Sequence, residues 1–231
     1  MSTPTPSPTT TPDPNTTTTP FWNTNLPPPL HTPTCPPYLL YALQNPKDRA
    51  ILATPDALCP RHTWPQVQRL IATNRLDSFR RVPSELRRYR QLTAEIVAEH
   101  GSVRAFIVKE RLGWEGTEGG SGGGMFECEA DFKILPNDSP YALAPCITHL
   151  VVWTKFPLPC NPGTAGTEDL TPAARAHISA FVDKTFVRDC GEGNVVWFMN
   201  WRSLKSVHAV EHFHVMLFEA PEGFVGGVTG G

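Results

Sequence analysis

Apolar positions follow a helical rhythm in the first half of the chain and strand-like runs in the second. After Thr63, residues Trp64, Val67, Leu70 and Ile71 recur every three or four positions, which places them on one helix face. Thr63 with Gln66 three residues on forms a capping box, so a helix is predicted to open there. Pro83 and Ser84 open a second helix, with Leu86, Tyr89, Ile96 and Val97 inward and Gly101 as its stop. Ser102 caps a third helix running through Phe106 and Ile107 toward Trp114.

Past Phe126 the pattern changes to strands at 132–135 and 147–155, separated by a Pro, Asn, Asp and Ser turn at 136–140. A Pro/Gly loop at 159–166 follows. Thr171 as N-cap and Pro172 at the first helical position then predict a helix that turns Ile178, Phe181, Val182 and Phe186 inward. Gly191 and Gly193 end it, and strands are predicted at 194–199 and 210–218 around a polar segment at 200–208. Helices first and strands later read as an α+β core with an antiparallel or mixed sheet, preceded by an N-terminal helical segment.

Composition adds boundaries. Residues 1–36 are mostly Thr, Pro, Ser and Asn, too polar to offset the entropy of ordering, and are expected to be a disordered tail in which Phe21 and Trp22 are incidental. Residues 37–114 form the helical segment, 115–125 a glycine-rich flexible loop, 126–220 the α+β core and 221–231 a loose tail. The stretch GWEGTEGGSGGG lacks the Lys-Ser/Thr ending of a phosphate loop. Arg80, Arg81, Arg87, Arg88 and Arg90, with Glu85 and Glu95 nearby, read as a solvated helix face.

A formal charge of −2 supplies no basic field for nucleic acid, and no apolar run approaches the roughly 18 residues of a membrane span. The N-terminus has neither a secretory h-region nor the arginines of a transit peptide. Six dispersed cysteines without a C-x-x-C pair read as reduced thiols, so a cytoplasmic protein is expected.

The candidate chemistry lies in the last strand. Side chains two apart share a strand face, so His212 and His214 point the same way as Val210 and Met216, while Phe213, Val215 and Leu217 fill the other face. Three uses fit such a pair: a nucleophile with a neighbour that positions it, a metal site, or buried histidines that only satisfy hydrogen bonds. A nucleophile acting on phosphorus needs donors for the phosphoryl oxygens, which Asn200, Arg202, Ser203, Lys205 and Ser206 offer. A divalent metal needs further ligands, for which His208, Glu211 and His149 are candidates, although Glu211 points to the opposite face.

The segments TWPQVQRLIATNRLDSFRRVPSELRRYR, KERLGW, HLVVWTKFPLP and VVWFMNWRSLKSVHAVEHFHVMLF resemble those of a largely fungal family of unresolved biochemical role, the N-acetylglucosamine-induced proteins. That resemblance spans 63–218 and implies a link to amino-sugar metabolism. Residues 131–218 also resemble the histidine-triad superfamily of nucleotide hydrolases and transferases, through ILPNDSPYALAPCITHLVVWTK, the helix from Thr171, VVWFMN, WRSLKSV and VEHFHVML. The second resemblance implies a histidine-triad-like antiparallel sheet, with His212 attacking an α-phosphorus and His214 beside it, or, with the match shifted by two residues, His214 as the attacking group. It also implies that His149, Lys155, Asn200, Arg202, Lys205, Ser206 and His208 surround a nucleotide or sugar-phosphate ligand. No cofactor is expected, and charge and hydropathy argue against nucleic acid or membrane as partner. Val210 stands where the first histidine of the triad would stand. A divalent-metal enzyme using His208, His212 and His214, and a regulatory binding module without catalysis, are the other two readings.

Overall fold

The computed structural model describes residues 19–117, 119–161, 169–205, 207 and 210–230. The helical segment forms largely where spacing and caps predict it. Helix α1 (Pro46–Leu52) starts at Asn45, whose side chain accepts the Asp48 N–H at 3.0 Å. Helix α2 (Trp64–Ala72) starts at Thr63, whose backbone N–H donates to Gln66 Oε1 at 2.9 Å. Helix α3 (Pro83–His100) stops at Gly101, whose φ of 76° suits glycine. Helix α4 (Val103–Phe106) is capped by Ser102 and widens into π-type turns over Ile107–Leu112.

The predicted disordered tail is too long at its C-terminal end. Residues 1–18 lie outside the described part, but 19–36 pack against the helices, with Phe21 buried among Leu39, Leu52 and Leu86. Arg87, itself buried, donates through Nη2 to the carbonyls of Thr24 (3.1 Å) and Phe21 (3.4 Å). Composition averages over a window and misses two aromatics for which distant residues build a seat. Phe21→Ala is expected to cost about 3 kcal/mol and to expose 22–36 to limited proteolysis. A variant as protease-resistant and as stable as the native chain would show that the strap is not held by this ring.

The solvated arginine face holds for Arg88, which is exposed and lies 3.7 Å from Glu85 Oε2, but not for Arg81, Arg87 and Arg90. Arg90 donates to the Tyr41 hydroxyl (2.9 Å) and Asp48 Oδ2 (3.1 Å), and Arg81 lies 4.2 Å over the Tyr89 ring. Contacts from α1 and the preceding turn convert what looks like a surface stripe into an interface.

The sheet is antiparallel throughout: β1 (Phe132–Pro136), β2 (Ile147–Thr154), β3 (Val195–Phe198) and β4 (Glu211–Phe218), in the order β1-β2-β4-β3. One face, bearing Ile134, Leu150, Val152, Phe213, Val215 and Leu217, is covered by helix α5 (Pro172–Val182), its continuation Asp183–Val187 and helix α6 (Arg188–Cys190). The tail predicted to be loose carries helix α7 (Phe224–Thr229), whose Phe224 ring meets Phe186 at 6.3 Å. Across the loop predicted to be flexible, Ser121 donates its N–H and hydroxyl to the Asp131 carboxylate, an anchor that its glycines do not announce.

The second face is roofed by the helical segment: Trp64, Val67, Leu76 and Phe79 over Ile147, Phe198 and Met216, then Val108, Leu112 and Trp114 near Val151 and Trp153. The sheet is thus enclosed on both sides, which places the histidines beneath helices. None of the six cysteines is in a disulfide, and no helix among the described residues is long and apolar enough to cross a membrane.

Candidate functional site

Strand register assembles the site. On the roofed face β4 presents His212, His214 and Met216, and β2 presents His149, Val151 and Trp153. Trp153 pairs directly with His212, their rings 4.5 Å apart, while Phe198 of β3 pairs with His214 and stacks on it at 5.0 Å. His149 opposes Met216, one step diagonal from His214, and His149 Nε2 lies 3.1 Å from His214 Nδ1.

A hydrogen-bond chain sets the protons. Asn200 Nδ2 donates to the Tyr141 hydroxyl at 3.1 Å and lies 3.0 Å from His214 Nε2. With the Asn200 amide oriented in this way, His214 accepts at Nε2 and donates from Nδ1 to His149. The Asn137 amide lies 3.2 Å from His149 Nε2, and the buried Asn200 Oδ1 has no hydrogen-bond partner among the described residues. His212 Nδ1 is 2.8 Å from the Val210 carbonyl. A carbonyl only accepts, so Nδ1 carries a proton, and in the neutral ring the lone pair lies on Nε2.

Burial, then the Arg81 charge, pushes His149 down to about 3. Burial, then His149, His212, Arg81 and Lys205, holds His214 well below the ordinary imidazole value. Both are neutral at physiological pH. Burial also raises the Tyr141 hydroxyl, which stays protonated and can donate.

Between the sheet and helices α3 and α4 lies a cavity of about 240 Å³. His212, His214, Asn200 and Tyr141 line it on the sheet side, and Leu92, Ile96 and Phe106 on the helix side. Among the residues singled out from the sequence, His212, His214 and Asn200 therefore meet at one cavity, and His149 stands behind His214 as its hydrogen-bond partner. Lys155 does not join them: its Nζ lies 5.3 Å over the Trp114 ring. Arg202 is exposed and outside the lining, and Lys205 Nζ binds Glu211 Oε2 at 2.8 Å. Ser206 and His208 lie outside the described residues. Among the described residues no group of three or more His, Cys, Asp or Glu side chains is placed to hold a metal ion.

Arg81, Arg111, Tyr141 and Trp153 also line the cavity and are not among the site residues that the sequence indicates. Arg81 reaches the cavity because the turn before β2 crosses residues 80 and 81. Ala142 N–H donates to the Arg80 carbonyl at 2.7 Å, and Arg81 Nε donates to the Ser139 carbonyl at 3.0 Å. Tyr141, beside Pro140 in the predicted turn, carried the best available signal.

Residues 63–218, which include the lining segments of this cavity, match the family described as protein of unknown function (DUF3605). The chain belongs to that family. It is 26% identical over 180 residues to N-acetylglucosamine-induced protein 1 of Candida albicans, covering 71% of this chain and 70% of the relative. It is 30% identical over 165 residues to the uncharacterized protein YPL067C of Saccharomyces cerevisiae, covering 67% and 78%. The crystal structure of HTC1 aligns with a TM-score of 0.60 and 26% identity over 72% of this chain and 92% of that one. In this chain the motifs quoted above contribute to the roof and the two central strands, so the resemblance to N-acetylglucosamine-induced proteins rests on segments that meet in space.

Proposed function

We propose that the protein binds a nucleotide or sugar-phosphate compound in the cavity between β4 and α3, with His212 as the group that attacks phosphorus. The observation that carries this reading is the pairing of His212 Nδ1 with the Val210 carbonyl at a cavity wall, which fixes the proton on Nδ1 so that the neutral ring presents Nε2 as its nucleophilic nitrogen. In the reaction the Nε2–P bond forms and the P–O bond to the leaving group breaks, its electron pair departing with that oxygen. Water then takes the phosphoryl or nucleotidyl group from histidine, and His212 returns to its neutral form. His214 and His149, hydrogen-bonded and neutral, act by position.

The succession β2, α5, β3, Asn200 and β4 follows the order that the histidine-triad resemblance implies, which supports the same assignment. Two features differ from it, Val210 in place of a histidine and the absence of glycine from WRSLKSV. The Candida relative is named for induction by N-acetylglucosamine, so amino-sugar phosphates come first among candidate ligands, and six cysteines outside any disulfide favour a cytoplasmic setting.

The test is a screen for thermal stabilisation by nucleotides, nucleotide sugars and amino-sugar phosphates, followed by mass spectrometry of the acid-sensitive adduct on His212. His212→Asn is expected to abolish the adduct while retaining most ligand affinity. Undiminished turnover by His212→Asn, or an adduct on another residue, would falsify the nucleophile assignment.

A further inference from the structure

The segment 200–208 is the expected holder of phosphate, yet its described basic side chains, Arg202 and Lys205, lie outside the lining or are engaged elsewhere. Lys205 is held by Glu211, and Arg202 does not line the cavity. The guanidinium groups that do line it come from the helical roof: Arg81, which precedes α3, and Arg111, which follows α4.

Arg81 is fixed by contacts that leave its charge unneutralised. Its Nε donates to a carbonyl, that of Ser139, its plane lies over Tyr89, and no carboxylate among the described residues pairs with it. The Tyr141 ring, 5.7 Å from the same guanidinium, links it to the floor, since Tyr141 lies 5.2 Å from the His149 ring and shares a hydrogen bond with Asn200. A half-buried cation with no carboxylate partner among the described residues, beside a cavity lined by the neutral His214, favours an anionic guest.

Arg111 is held differently. Its Nη2 meets Asp138 Oδ1 at 2.7 Å, but the Asp138 side chain is 55% exposed, so water stabilises that carboxylate when an incoming anion takes its place.

We infer that Arg81 and Arg111 are the anion-recognition pair of this cavity, reading the phosphate of a phosphate monoester from the helical roof while the ligand body lies along Leu92, Ile96 and Phe106. The inference rests on the phosphate reading above and names the residues that select for it. Unphosphorylated analogues lack the group that these arginines bind, so discrimination between a phosphate ester and its parent alcohol is the property the pair supplies.

The experiment is calorimetric titration of the full chain with inorganic phosphate, glucose 6-phosphate and adenosine monophosphate, alongside glucose and adenosine. For a phosphate-bearing probe that binds the native chain, Arg81→Gln is expected to weaken affinity about 10- to 100-fold. Arg111→Gln should weaken it less, and neither should alter binding of the unphosphorylated parent. Asp138→Asn, which releases Arg111, should tighten phosphate binding about threefold or more, a gain that a misfolded variant cannot imitate. Native-like affinity in Arg81→Gln together with no gain in Asp138→Asn overturns the inference and leaves the phosphate reading standing. Failure of all three phosphate probes to bind the native chain overturns both.

Discussion

Acidification from pH 7 to pH 5 is expected to lower the unfolding free energy by about 4 kcal/mol. His149, with its value near 3, and His214, held well below the ordinary range, are neutral in the folded protein. In the unfolded chain both return to about 6.5. Above that pH neither state binds the protons and the pair contributes no pH dependence. Below it the unfolded chain takes up protons that the folded chain excludes, so each histidine removes about 1.4 kcal/mol per pH unit. Against a typical total of about 5–15 kcal/mol the loss is large. Urea unfolding at pH 7, 6 and 5, followed by tryptophan fluorescence, measures it. His149→Gln should remove about half of the slope, and an unfolding midpoint that stays level between pH 7 and 5 would contradict the buried neutral pair.

Phe213→Ala is expected to cost about 3–5 kcal/mol. Phe213 sits between the two histidines in sequence but points to the opposite side of the sheet, fully buried. Its ring makes edge contacts with Trp197 (6.0 Å), Phe126 (6.1 Å) and Phe181 (6.3 Å). Those neighbours come from β3, the loop before β1 and α5, so the cavity left by truncation is walled by elements that cannot all collapse into it. Equilibrium urea unfolding at pH 7 gives the value directly. A loss under about 1 kcal/mol would mean that this face is not the stabilising layer. The same experiment separates the faces: Phe213→Ala is expected to reduce stability at every pH, whereas His149→Gln changes chiefly its pH dependence.

Local pattern determined much of this protein. Three- and four-residue spacing around Trp64, Leu86 and Ile178 places the helices, caps at Thr63, Ser102 and Thr171 place their starts, and alternation along 210–218 puts His212 and His214 together against Phe213 and Val215. Each of these signals is written within a few residues, where periodicity and capping operate. Tertiary structure alone decided the rest. The strand register made His149 a partner of His214 and Trp153 a partner of His212. The crossing of Ser139 over Arg81 turned an apparent surface arginine into a cavity wall. The seat built by Leu39, Leu52 and Leu86 ordered Phe21. Burial and hydrogen bonding between residues tens of positions apart have no local signature, because the free energy that selects them exists only once both sides of the contact are in place. The last strand therefore carried a legible pair of histidines, while the neutral state of His214, the tautomer of His212 and the arginines facing them belong to the folded chain.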